Sequence, residues 1–166
     1  PARAVLTGER VALNILGRLC GIASLTRRFV ELVDGTGTRV LDTRKTTPGL
    51  RALEKYAVRC GGGTNHRAGL YDAVLVKENH LRIAGGIPAA AAALRGATNG
   101  LQVEVEAETL AQVREAIDAG IGRVLLDNMS PQEVGEAVAL AGGSVELEAS
   151  GGVSLATVRA YAETGV

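Results

Sequence analysis

Two hydrophobic periods alternate along the second half of the chain. Leu101 to Ala107 (LQVEVEA) alternates apolar and charged residues, the period of a strand with one polar face. Thr109 and Gln112 then match a capping box, and Leu110, Val113, Ala116 and Ile117 supply the apolar stripe of a helix that Gly120 ends. RVLLDN (123–128) reads as a short buried strand. Ser130, Pro131 and Glu133 fall at the N-cap, N1 and N3 positions of the next helix, which Gly142-Gly143 stops. VELEAS (145–150) reads as another strand, and Ser154 is placed to cap a helix running to Gly165. The acidic residues Glu106, Asp127 and Glu148 recur at equal spacing along these cycles. Strands alternating with helices through short turns predict a parallel sheet with helical crossovers. The unbroken repeat predicts a barrel rather than an open sheet.

The first half extends the pattern. Gly8 to about Asp34 reads as a long amphipathic helix with Leu16, Leu19 and Ala23 on its apolar face. A strand at 38–43, a helix at 49–60, a strand at 73–77 and an alanine-rich helix at 87–95 follow. Five strands are thus expected, at 38–43, 73–77, 101–106, 123–127 and 145–149. Five close a barrel poorly, so residues 1–166 are expected to form a single α/β-barrel domain that lacks its last strand or strands. The start without Met, at Pro-Ala-Arg, and the stop where the period calls for another strand fit a portion of a longer protein.

Composition narrows the partners. Eighteen basic and eighteen acidic residues balance, and aromatics make up 2%. Both argue against nucleic acid as the main ligand, and the balance argues against a membrane surface. No apolar run is long enough to span a bilayer. Cys20 and Cys60 have no metal-type spacing and are expected to be buried, reduced thiols, which suits a cytoplasmic protein.

The chemistry is expected at the carboxyl ends of the strands, where parallel α/β folds bind ligands. The first strand ends in Thr43-Arg44-Lys45-Thr46. The second is preceded by Asn65-His66-Arg67 and ends in Lys77-Glu78-Asn79-His80. The third ends in Glu106, the fourth in Asp127-Asn128 and the fifth in Ser150-Gly151-Gly152. Cations gather on the first two strands and carboxylates on the next two, a layout for an anionic substrate beside a phosphorylated or metal-bound one. Arginine forks match carboxylates and phosphates, and a carboxylate pair suits Mg²⁺. Ser150-Gly151-Gly152 before a capped helix is a candidate phosphate turn. Gly61-Gly62-Gly63 is either a turn after a helix or an anion nest. Taken singly, each of these features also has a purely structural reading: a solvated strand end, a surface lysine, a core histidine.

The ordered set is more specific than its parts. Gly8-Glu9-Arg10 with Asn14, Leu41-Asp42-Thr43-Arg44-Lys45-Thr46, Pro48-Gly49-Leu50-Arg51, Lys55-Tyr56, the Gly61–Arg67 run, Val76–His80, Glu104 and Glu106, Leu126-Asp127-Asn128 and Glu148–Gly152 resemble the successive signatures of quinolinate phosphoribosyltransferases. The resemblance covers essentially the whole chain. It implies an incomplete (β/α) barrel of the type II phosphoribosyltransferase kind, with parallel strands and outer helices. It also implies an N-terminal sandwich domain, one further strand, and a homodimer or higher homo-oligomer in which one subunit's N-terminal part closes the other's barrel. The implied reaction converts quinolinate and phosphoribosyl pyrophosphate to nicotinate mononucleotide, pyrophosphate and CO₂, with Mg²⁺. On this resemblance Arg44, His66, Arg67 and Lys77 line the quinolinate pocket, with Thr43 beside them and Lys45 near the reacting centre. Arg10 reaches into the neighbouring subunit's site. Glu106 and Asp127 face the ribose hydroxyls and Mg²⁺, and Ser150, Gly151 and Gly152 hold the 5′-phosphate. Lys45, Lys77, Glu106 and Asp127 are the residues implied closest to the chemistry. A molybdenum-locus homologue of the same fold and a non-catalytic dicarboxylate or phosphosugar-binding barrel are the alternatives. The complete basic set favours quinolinate over the first, and the retained Glu106 and Asp127 count against the second.

Overall fold

A computed structural model describes residues 2–166, which divide into two compact units. The first comprises residues 2–34 and 39–68, the second Gly35–Thr38 and Gly69–Val166.

The second unit carries the repeat. Four strands, β1 (Val74–Val76), β2 (Val103–Ala107), β3 (Arg123–Asp127) and β4 (Glu146–Ser150), form one parallel sheet in sequence order. Helices α3 (Glu78–Ala84), α4 (Ile87–Leu94), α5 (Leu110–Asp118) and α6 (Pro131–Ala141) fill the connections, and α7 (Val158–Ala162) follows β4. The predicted strands at 73–77, 101–106, 123–127 and 145–149 appear within two residues of their expected bounds. Both capping boxes form. Thr109 Oγ1 accepts from the Gln112 amide at 3.3 Å, and Gln112 Oε1 accepts from the Thr109 amide at 3.2 Å. The Glu133 amide donates to Ser130 Oγ, and the Ser130 amide donates to Glu133 Oε2 at 2.7 Å. That backbone bond holds the Glu133 carboxyl below its ordinary pKa.

One face of the sheet is the core. Val105, Val124 and Leu126 are fully buried with Ile87, Val113 and Val134 of the crossover helices. The opposite face is charged. The strand register aligns Glu104 with Arg123 and Arg123 with Glu146, then Glu106 with Leu125 and Leu125 with Glu148, then Asp127 with Ser150. Arg123 pairs with Glu146 at 2.5 Å and with Glu148 at 3.0 Å. The sheet has two open edges, as an incomplete barrel does.

Two expectations for this half need correction. The helix placed after Ser154 starts only at Val158. Thr157 Oγ1 accepts from the Ser154 amide at 2.9 Å, and the Ser154 carbonyl accepts from Val158. These two bonds close a single turn over 154–157 ahead of the regular helix. The helix is also shorter than expected, ending at Ala162 rather than Gly165.

In the first unit, α1 (Ala2–Leu32) packs against α2 (Arg51–Cys60). The buried face of α1 lies further along than predicted. Thr26 is buried and Leu19 and Ala23 are half-buried, whereas Leu16 is 55% exposed. The triple glycine closes the contact. A Cβ at Gly61 would sit 2.7 Å from Thr26 Cβ, and one at Gly63 would sit 2.8 Å from Thr26 Cγ2 and from Val58 Cγ1. The Gly61, Gly62 and Gly63 amides donate back to the carbonyls of Ala57, Arg59 and Val58. They finish α2, and the anion-nest alternative falls. The expected strand at 38–43 is only an isolated parallel bridge between Leu41 and Thr64. Thr64 donates to the Val40 carbonyl and Asp42 to the Thr64 carbonyl. Beyond them Lys45 donates to Thr43 Oγ1 and Thr46 to the Arg44 carbonyl, a tight turn that ends the extended run. The cysteines depart from expectation in one respect: both are free thiols, but both are exposed.

Arg18 Nε meets Glu54 Oε1 at 2.6 Å across the α1–α2 contact, and the Thr47 amide donates to Glu54 Oε2. Burial pushes the Glu54 carboxyl upward, but the Arg18 and Thr47 bonds outweigh it and hold its pKa below the ordinary value. A group whose pKa is depressed by folding stabilises fully above its unfolded pKa, about 4.3 for Glu. That stabilisation is lost as pH falls through the folded value. Urea midpoints of Glu54→Gln are therefore expected below those of the unaltered protein at pH 7, with the gap narrowing as pH falls below the unfolded value. A gap independent of pH would contradict this coupling.

Candidate functional site

The site residues of the first unit hang from one buried ion pair. Lys55 on α2 is 6% exposed, and its Nζ meets Asp42 Oδ1 at 2.5 Å. Asp42 also accepts from the His66 amide at 2.8 Å and from Asn65 Nδ2 at 2.6 Å. Lys55 Nζ donates to the His66 carbonyl, and Asn65 Nδ2 to the Lys55 carbonyl. The segments 42–46 and 64–67 are thereby fastened to each other and to α2. Arg51 braces the same turn, donating to Thr46 Oγ1 and to the carbonyls of Arg44 and Ala68. Four of the predicted ligands, Thr43, Arg44, Lys45 and His66, thus sit on segments whose backbone is fixed from behind, and Arg67 follows directly, its amide donating to His66 Nδ1. Thr43 and Lys45 face solvent. Arg44 is half-buried, and its Nε is a buried donor with no hydrogen-bond partner. Arg10 lies on the exposed early part of α1.

The second unit gathers the remaining predicted residues at the carboxyl ends of its strands. Lys77 follows β1, and its Nζ lies 3.1 Å from Glu106 Oε2 on β2. The lysine side chain is 49% exposed and the glutamate 11%. The Lys77 amide donates to His80 Nδ1 at 2.9 Å, so His80 caps the turn that presents the lysine. Asp127 ends β3, and its carboxylate comes within 4.8 Å of those of Glu106 and Glu108. Ser150 pairs in register with Asp127, and Gly151 and Gly152 follow with φ of +88° and +66°. The glycine turn is separated from α7 by the 154–157 turn.

Sequence reasoning missed Glu108, Asp42 and Lys55. Glu104, Glu106 and Glu108 share one strand parity, which could have flagged the third carboxylate. Asp42 and Lys55 stood in recognised motifs, but only the fold shows that they meet. Glu104 is buried opposite Arg123 in the strand register, on the charged face of the sheet.

A parallel sheet in sequence order with helical crossovers is an α/β fold, and such folds place their ligands at the carboxyl ends of the strands, where this lysine, these carboxylates and this glycine turn lie. Comparison with known proteins makes this specific. The chain belongs to the family described as quinolinate phosphoribosyl transferase, C-terminal domain, whose model matches residues 22–166. It is 48% identical, over 100% of its length, to a probable nicotinate-nucleotide pyrophosphorylase [carboxylating] of Bacillus subtilis, covering 58% of that protein. A protein of the same description from Synechocystis is 50% identical over 98% of the chain, which covers 56% of it. The solved structure of the nicotinate-nucleotide pyrophosphorylase from Francisella tularensis matches 99% of the chain and 59% of its own length, with a TM-score of 0.93 and 47% identity. The chain therefore spans a little over half the length of these relatives. Among the described residues, no helix is long and apolar enough to cross a membrane.

Proposed function

We propose that the protein carrying this chain is a decarboxylating quinolinate phosphoribosyltransferase, a pentosyltransferase of NAD biosynthesis. The observation that carries this reading is the succession Lys77, Glu106, Asp127, Ser150-Gly151-Gly152 along the carboxyl ends of consecutive parallel strands, in a chain of this family.

The first unit offers Arg44, His66 and Arg67, with Thr43 alongside, for the carboxylates of quinolinate, and Lys77 is the cation that the strand ends of the second unit offer an anionic substrate. Each charged hydrogen bond contributes about 1.5–3 kcal/mol. Glu106 and Asp127 hold the ribose hydroxyls of phosphoribosyl pyrophosphate, and the Ser150–Gly152 turn holds its 5′-phosphate. The pyridine nitrogen forms a bond to the ribose C1 as the C1–oxygen bond to pyrophosphate breaks. Lys77 stabilises the departing negative charge. The ring nitrogen is then cationic and stabilises, as an ylide, the electron pair left on the neighbouring ring carbon when its carboxylate departs as CO₂, and that carbon takes up a solvent proton. No protein base is required.

Glu106, Glu108 and Asp127 offer oxygen ligands close together, the donor type Mg²⁺ favours. Glu106 and Asp127 would hold the ion jointly with substrate phosphates, where it neutralises the pyrophosphate charge. A homodimer with Arg10 lent across subunits accords with the exposure of Arg10 and of Val5, Leu6, Val11 and Leu13 on α1. A cytoplasmic setting accords with two free thiols. The test is phosphoribosyl-pyrophosphate-dependent loss of quinolinate by the protein carrying this chain. Turnover with Mg²⁺ and none after chelation are expected. Binding of both ligands without turnover would instead indicate a sensor.

A further inference from the structure

Asn128 follows β3 directly and has no part in the roles assigned above. Its φ is +58°, a left-handed conformation that L residues other than asparagine and aspartate rarely adopt. Three contacts surround it. Its backbone amide donates to the Ser150 carbonyl at 2.8 Å, carrying the β3–β4 pairing one residue past the Asp127–Ser150 register. Its Nδ2 donates to Asp127 Oδ2 at 2.7 Å. Gly151 lies so close that a Cβ there would overlap the Asn128 side-chain amide and stand 2.9 Å from its backbone nitrogen.

These contacts join two elements that the proposed reaction uses separately. Backbone bonding ties residue 128 to the strand end that opens the glycine turn, and side-chain bonding ties it to the Asp127 carboxylate. The left-handed backbone is what lets one residue do both, because it turns the side chain back over its own predecessor. We propose that Asn128 is a positioning residue for phosphoribosyl pyrophosphate. It occupies Asp127 Oδ2 so that Oδ1 is the oxygen presented to the ribose. It also fixes the spacing between that carboxylate and the Ser150–Gly152 turn that takes the 5′-phosphate. Gly151 suits glycine on two counts, its φ of +88° and the asparagine amide that fills the space a side chain would need. This inference rests on the function proposed above.

Two variants separate positioning from folding. Asn128→Asp keeps the size and tolerates the backbone, but replaces the donor with a second carboxylate beside Asp127. Asn128→Gly keeps the backbone and deletes the side chain. Both are expected to raise the KM for phosphoribosyl pyrophosphate about tenfold to a hundredfold, the range seen when a partner that orients a ligating group is removed. The KM for quinolinate and the thermal midpoint should stay near those of the unaltered protein. Asn99→Gly, at the other left-handed asparagine (φ +50°), should change neither KM. Gly151→Ala should weaken phosphoribosyl pyrophosphate more in the unaltered background than in the Asn128→Gly background, because the overlap with the side chain is gone. Unchanged phosphoribosyl pyrophosphate KM in Asn128→Asp, or an equal rise in both KM values, overturns the positioning role while leaving the function standing. An unaltered protein that fails to consume quinolinate overturns both.

Discussion

Lys77→Ala is expected to lose about 10²–10³-fold in kcat/KM for quinolinate, the cost of removing one preorganised group from developing charge, and Arg44→Ala about 10–10²-fold, that of one charged hydrogen bond to a bound carboxylate. The two losses differ in origin. Arg44 is held by a turn whose own backbone is braced by Arg51, and its Nε is a buried donor without a partner. Such a donor costs about 1–3 kcal/mol unsatisfied, so an arriving carboxylate gains from relieving it. Arg44→Lys should rescue little, because an ammonium lacks the planar fork. Lys77 already pairs with Glu106 in the structure at 3.1 Å. Its removal deprives an almost buried carboxylate of a partner as well as deleting a cation. Lys77→Ala should therefore also weaken the response to phosphoribosyl pyrophosphate, whereas Arg44→Ala should raise the quinolinate KM selectively. Steady-state kinetics with each substrate varied in turn separate the two. Full turnover in both variants would refute the assigned roles.

Lys55→Met is expected to cost about 3–5 kcal/mol of stability, the penalty for leaving one member of a buried ion pair without its partner. Asp42 has a side chain only 7% exposed and would be left with amide donors alone. Asp42→Asn in the same protein should recover much of the loss, because no net buried charge remains. Chemical denaturation of both single variants and the double variant gives the coupling directly. Additive losses would mean that the pair is held by its neighbours rather than by its charges. Since Asp42 fastens 42–46 to 64–67, the single variants should also bind quinolinate more weakly at temperatures where they remain folded.

Much of the second unit was legible because its signals are local. Period-two alternation at 101–107 and the Thr109 and Ser130 boxes specify strand and helix within a few residues, and the fold follows them. The failures lie where distant or competing bonds decide. TRVLDT at 38–43 has strand-like residues, yet it finds only Thr64 to pair with, and the Thr43–Thr46 turn cuts it short. Ser154 does open a turn, through its amide to Thr157 and its carbonyl to Val158, but the regular helix starts only at Val158. The glycines at 61–63 look like a loop from sequence alone. Their reason is the helix lying against them, which no local pattern encodes. Among the site residues, the strand-end census placed Lys77, Glu106 and Asp127 correctly at one mouth. Glu108, Asp42 and Lys55 escaped it because their roles depend on contacts rather than on position in a motif.

The two faces of the sheet divide labour by parity. In β3 the even positions, Val124 and Leu126, face the core, while the odd positions, Arg123 and Asp127, carry charge; in β4 the parity is reversed. Selection on substrate choice therefore acts on one set of alternate positions and selection on folding acts on the other. The mouth of this fold can be rewritten through substitutions that leave the buried side chains untouched, so specificity can drift without drawing on the stability that keeps the protein folded.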